Sequence, residues 1–273
     1  MVEKILKYIS ETLIQNEVNV SNPGLIYGKM GLAVFYFHYA RYTGDQSFEE
    51  YAMILMEKLQ EQIQQQHTIN YRDGLAGIGT GIEYLVRNGF LEADTNEVLE
   101  DLDKEIFRAT VFGNHADVSL FTGLSGLGRY LLFRVEGKYA NDDYISTLDN
   151  KMLLIHITDA FERKYPSMKT AEIEEVFFFL HAMEQTNIFP TKAKQLLKSI
   201  SSYLSSSKQD EIMSGFLINK AEMYRRKYNE YLSKINGDNQ TDILPGLYGG
   251  LAGIGLYLLS TVDKQHETWM ELI

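Results

Sequence analysis

Hydrophobic residues recur along this chain with a helical period and nowhere alternate with period two over a useful length, so strands are expected to be scarce. Two kinds of helix stand out. In "MVEKILKYISETLIQ" the apolar residues Ile5, Leu6, Ile9 and Leu13 form one stripe interrupted by charge, and the stretches at about 46–65, 95–110 and 146–163 share that character. Each predicts an amphipathic helix with one wet face. The second kind is apolar nearly all round and opens on glycines: "YGKMGLAVFYF", "RDGLAGIGTGIEYL", "TGLSGLGRYLLF" and "GGLAGIGLYLLS". A helix that is apolar on most sides is buried on most sides. Glycine costs about 1 kcal/mol per helical position relative to alanine, so its return at the head of four such helices needs a physical cause.

The four segments align on the pattern Gly-x-x-Gly-[Leu/Ile], at Gly28/Gly31, Gly74/Gly77, Gly123/Gly126 and Gly250/Gly253, with starts 46, 49 and 127 residues apart. The repeat unit is an outer amphipathic helix, a loop and an inner apolar helix. The long last interval predicts two degenerate units, with inner helices at about 172–185 and 209–219 and outer helices at about 190–206 and 221–235. Six helical hairpins then stack into an all-α fold, an α/α toroid with glycine-rich loops at the inner-helix N-termini. One domain spans 1–273, and an irregular insertion between 166 and 236 would leave the ring incomplete. In this reading the glycines serve turns of positive φ and the crowding of helices about an axis, and the helix N–H groups face a common pore suited to a carboxylate, a phosphate or a peptide.

Composition narrows the function. The 273 residues are 45% hydrophobic, enough for one large core, and with only four prolines and no long low-complexity run no linker is visible. A formal charge of −11 argues against nucleic acid or an anionic membrane as partner, and the basic cluster "YRRKY" at 224–228 reads as a solvated helix face. No apolar run is long enough for a membrane span, and the charged N-terminus is unlike a secretory signal, so a cytoplasmic protein is expected. The chain has no cysteine, which excludes disulfides, thiolate nucleophiles and thiolate metal ligands together.

Candidate chemistry gathers at the glycine loops. None of the six histidines forms a helical His-x-x-x-His pair, and His181, inside "VFFFLHAM", reads as a core residue. His115 in the loop "NHADVS" with Asp117 beside it could act as a general base with an orienting carboxylate, or the loop could simply cap the next helix. Asp73 precedes Gly74 as an N-cap or a substrate contact. The catalytic candidates are therefore Asp73, His115 and Asp117. Tyr27, Arg72, Asp73, Thr122 and Tyr248 are the ligand-binding candidates, expected to line one concave cavity, and Asp242 flanks the last block. The contrary arrangement is an axis plugged by large side chains such as Phe121 and Phe177.

These blocks resemble the lanthionine synthetase C-like proteins, the lanthipeptide cyclases and their relatives. "GLIYGKMGLAVF", "DGLAGIGTGIEYL", "GLSGLGRYLLF" and "PGLYGGLAGIGLYLL" are similar to that family's repeats at the mouths of inner helices in an α/α toroid. The resemblance implies a peptide substrate or precursor peptide as partner, with a modifying enzyme beside it in a bacterial peptide-modification system. It also implies a zinc ion held by a Cys in a Trp-Cys-x-Gly block and by a Cys-His pair in a Cys-His-Gly-x-x-Gly block, activating a peptide thiol. Here Tyr248 stands at the Cys position of that pair, Gly249 at the His, and the only tryptophan is Trp269. The expectation is a family member without metal or cofactor, a peptide-binding or accessory pseudoenzyme or a metal-independent enzyme. The alternative is a carbohydrate-active toroid enzyme of glycosidase or epimerase type, using pore carboxylates.

Overall fold

The computed structural model describes residues 2–17, 20–63, 68–113, 116–140, 144–186, 188–203, 222–233 and 244–273. In chain order the α-helices are α1 (Val2–Asn16), α2 (Lys29–Thr43), α3 (Gln46–Ile63), α4 (Leu75–Arg87), α5 (Thr95–Val98), α6 (Glu100–Phe112), α7 (Leu124–Val135), α8 (Tyr144–Lys164), α9 (Thr170–Gln185), α10 (Pro190–Tyr203), α11 (222–233) and α12 (Leu251–Val262). Short 3-10 helices cover Tyr165–Ser167 and Lys264–Leu272. No strand occurs among the described residues. No described helix is long and apolar enough to cross a membrane.

The two classes of helix read from the hydrophobic pattern are both present. In α1 only Leu6, Ile9, Ser10 and Leu13 are buried, and in α3 only Ala52, Leu55 and Leu59. In α2 every residue from Lys29 to Ala40 is buried, and in α4 every residue from Leu75 to Val86. The outer helix expected at 95–110 is divided, because Leu99 leaves helical geometry with ψ near 5° between α5 and α6. Asp94 caps α5 by accepting the N–H of Asn96, and Glu100, Asp101 and Asp103 place negative charge at the N-terminus of α6. Of the two degenerate units, α9 and α10 fall where the sequence places them. The inner helix expected at 209–219 lies outside the described residues.

The chain divides into two compact units. Unit 1 joins Met1–His67 to Phe216–Ile273, so the first and last parts of the chain fold together. Within it α2 and α3 form a hairpin through Gly44, a left-handed C-cap (φ 68°) whose N–H donates to Ala40 O, and α12 packs on α1, on α2 and on the C-terminal 3-10 helix. Unit 1 also holds α11, and unit 2, Thr68–Gly215, holds α4 to α10. There α4 packs on α7, α7 on α8 and α9, and α9 on α10.

Glycines set how closely these buried helices approach. A Cβ at Gly79 of α4 would collide with the Tyr130 ring of α7, one at Gly128 of α7 with the Phe179 ring of α9, and one at Gly255 of α12 with the Phe35 ring of α2. Each glycine accepts an aromatic ring from a neighbouring buried helix, which lets the two helices pack closely.

Candidate functional site

The candidate residues lie on the loops that feed the four glycine-headed helices, two of these loops in each unit. In all four the N-cap is the first glycine of the block, and its backbone is extended: φ is −121° at Gly28, −114° at Gly74, −115° at Gly123 and −102° at Gly250. The positive-φ turns expected from the sequence are not what these positions need. The loop curls back against its own helix instead, so that a Cβ at Gly123 would lie 2.5 Å from Asp117 O and 2.6 Å from Ser119 N, and the other three N-caps are crowded by loop backbone in the same way. Within the last block the left-handed residue is Gly249, at φ +68°.

This return of the loop satisfies the helix ends. Leu124 N–H donates to Asp117 O (3.1 Å) and Ser125 N–H to Val118 O (3.3 Å). The same seven-residue reach joins Lys29 to Asn22, Leu75 to Thr68 and Leu251 to Leu244, at 2.9 to 3.0 Å. The donors of the first helical turn, expected to face a ligand, are therefore taken up by the chain's own carbonyls, and a bare helix-end anion site is ruled out at these positions. Neighbouring loops are also tied together: Arg72 N–H donates to Phe121 O (3.0 Å), and Leu247 N–H to Ile26 O (2.7 Å).

In unit 2 the candidates Arg72, Asp73, Asp117 and Thr122 sit on two linked loops. Asp73 does not cap α4; its carboxylate receives Arg72 Nε at 2.6 Å, and its backbone N–H donates to Asn70 Oδ1. Asp117 accepts the Thr122 hydroxyl and the Ser119 N–H (2.8 Å). Partial burial works against its charge, yet these hydrogen bonds prevail and hold its pKa below the usual value. Both aspartates thus serve the loops. His115, the base expected beside Asp117, lies outside the described residues, as does Asp242.

Sequence reasoning missed Glu175. It accepts the Leu120 N–H at 2.7 Å, and burial, reinforced by Asp117 and Glu172, raises its pKa. It sits inside the apolar-looking α9, and only the fold reveals its partner. His181, expected in the core, is instead 40% exposed and lies 3.9 Å from Glu184. The plug residue Phe177 is buried.

In unit 1 Tyr27 and Tyr248 come together on the first and last loops. The Tyr27 ring lies over Gly246, where a Cβ would sit 3.0 Å from its Cδ1, and both tyrosines are half-buried. A third tyrosine, Tyr224 of α11, is fully buried; its hydroxyl donates to Leu247 O (2.7 Å) and accepts the Gly249 N–H (3.4 Å), and burial raises its pKa far above normal. Tyr257 stacks on Tyr224 with centroids 6.4 Å apart. The "YRRKY" segment that reads as a solvated face thus sends Tyr224 inward while Arg225 and Arg226 stay exposed.

A zinc ion does not fit this donor set. Tyr248 and Gly249 supply no thiolate and no imidazole, Lys227 brings a cationic chain to within 3.9 Å of where a Gly249 Cβ would stand, and the Gly249 N–H is engaged by Tyr224. Among the described residues no group of three or more His, Asp or Glu side chains is placed to hold a metal.

Buried helices headed by glycine loops, paired with one-faced outer helices, define an all-α protein among the described residues. The sequence profile of the lanthionine synthetase C-like proteins matches residues 19–175, which is more than half of the chain. The chain belongs to that family. The matched region carries the first three glycine blocks, and the fourth lies beyond it. Among curated proteins none is detectably similar.

Proposed function

We propose that this protein is a zinc-independent member of the family that binds a peptide, acting as an accessory component of a bacterial peptide-modification system in the cytoplasm and folding as one domain over residues 1–273. The observation that carries this reading is the pairing of a family scaffold with Tyr248 and Gly249 where the cyclases hold metal, in a chain without cysteine. Glycine loops of the family type support a retained peptide-facing surface, and Tyr27 and Tyr248 add half-exposed rings and hydroxyls suited to a polypeptide. The carbohydrate reading draws no support from Asp73 and Asp117, because both carboxylates are engaged in holding their own loops.

The test is binding of a dehydrated, cysteine-containing peptide of the lanthipeptide-precursor type, read by fluorescence anisotropy, with thiol titration of that peptide in the presence of added zinc. Binding is expected to weaken about tenfold or more in Tyr248→Ala, in the range of a hot-spot aromatic, with an unchanged melting temperature. No acceleration of thiol loss is expected. Zinc-stimulated ring formation, or binding indifferent to Tyr248, would refute the proposal.

A further inference from the structure

Among the described residues the buried histidines are not where the sequence suggests. His38 of α2 and His266 of the C-terminal 3-10 helix are both fully buried, with Nδ1 atoms 2.9 Å apart. That contact is a hydrogen bond only when one Nδ1 carries a proton and the other does not, so the accepting ring must be neutral. His266 Nε2 is buried with no partner among the described residues. A bare lone pair there costs less than an orphaned N–H, which makes His266 the Nδ1–H donor and His38 the acceptor. Adding a proton to the acceptor of this pair places two N–H groups head to head and a charge in the core.

We propose that the His38–His266 pair is an acid-released latch, which holds the segment Lys264–Leu272 on α2 at neutral pH and lets it go when the accepting Nδ1 of His38 is protonated. The contacts of that segment give the release a consequence. Its Trp269 is fully buried, donates through Nε1 to Ser260 Oγ (3.0 Å), and meets Tyr224 edge-on with centroids 4.9 Å apart. Tyr224 in turn fixes the last glycine loop through Leu247 O and Gly249 N–H. A physical chain therefore runs from the histidine pair through Trp269 and Tyr224 to the loop that carries Tyr248. The latch belongs to the fold and stands whatever that loop binds.

The charged neighbours favour the neutral pair. Arg41 of α2 opposes a positive charge on either ring, and Asp263, ahead of the 3-10 helix, favours it at His266 only. Two further described neighbours are Tyr42 of α2, with its ring centroid 6.3 Å from that of His266, and Ser260 of α12, whose hydroxyl donates to His266 O. Glu11 of α1 and Asp45 act on the adjacent Tyr39, where their charge disfavours the phenolate. Burial lowers both histidine pKa values, more so at His38, with the partner ring and Arg41 adding to it there. The sign follows from linkage: the unfolded rings take up protons below about pH 6.5 while the folded ones resist, so the pair's stabilisation is complete above that pH and is lost as pH falls below it.

Trp269 is the only tryptophan, so its emission reports the latch directly. In the intact protein, titration from pH 8 to pH 5 is expected to shift that emission to longer wavelength with a midpoint below about 6.5, while the far-ultraviolet helix signal is kept. The double substitution His38→Asn with His266→Asn offers an amide pair that cannot titrate, and is expected to abolish the shift in that range. Should the double variant fail to fold, proton NMR of the wild-type imidazoles decides. Two of the six histidines are then expected to stay neutral until the tryptophan transition and to titrate with it. Constant Trp269 emission from pH 8 to 5, an unchanged transition in the double variant, or six histidines titrating independently of the tryptophan would each overturn the latch.

Discussion

At the scale of single residues, the glycine heading each buried helix explains more than its spacing reveals. The repeat Gly-x-x-Gly-[Leu/Ile] is legible in the sequence, and so is the burial that follows it. The reason for glycine is not, since crowding by Asp117 O and Ser119 N around Gly123 comes from a loop path that no local pattern encodes. Gly123 is an N-cap with extended backbone, where glycine is already preferred over alanine. Because the methyl group would meet backbone and not a movable side chain, Gly123→Ala is expected to destabilise, by about 1 to 3 kcal/mol in a denaturant melt, the range of overpacked cores. Asp73 carries the same lesson from the other side: its place before Gly74 invites an N-cap reading, and the guanidinium of the adjacent Arg72 claims it instead. Side-chain partners three or fewer residues apart are ambiguous in sequence because several geometries satisfy the same spacing.

At the scale of elements, helix type and position were readable, whereas the ties between helices were not. The amphipathic stripe of α1 and the apolar run of α4 follow from period and composition. Nothing in the sequence announces that Arg134 of α7, fully buried, pairs with Glu83 of α4 and with Asp103 of α6 (2.8 Å), while also reaching Thr95 Oγ1 and Asn96 Oδ1. Tyr130 donates to Asp103 as well, so one guanidinium and one phenol bind the ends of three helices away from the glycine loops. Burial pushes the Glu83 pKa upward, and Arg134 counters it. Arg134→Met is expected to cost about 3 to 5 kcal/mol, because it strands Glu83 in the interior, and Glu83→Gln added to it should recover part of that loss. Thermal or urea unfolding of the two variants checks this. A loss below about 1 kcal/mol for Arg134→Met would show that the network contributes little beyond its packing.

At the scale of the molecule, family and fold class were within reach of the sequence because four glycine blocks are spread over most of its length, and a repeated pattern is harder to mimic by accident than a single motif. The site was less legible. Tyr27 lies beside Tyr248 in unit 1, and Arg72 pairs with Asp73 in unit 2, each on loops ahead of glycine-headed helices. Tyr224, Glu175 and the histidine pair were missed, since each acts through a partner far away in the chain. The account rests on one substitution of chemistry: where the family's cyclases place cysteine and histidine on a metal, this chain has Tyr248 and Gly249, locked by Tyr224 and approached by Lys227. Bound zinc, measured by atomic emission after equilibration with the metal and paired with a thermal melt, tests that most directly. A true site at a hundredfold excess over its dissociation constant would add about 2.7 kcal/mol to stability. The expected result is far less than one zinc per chain and no rise in melting temperature; one tightly held zinc per chain, with the melt shifted upward, would contradict the account.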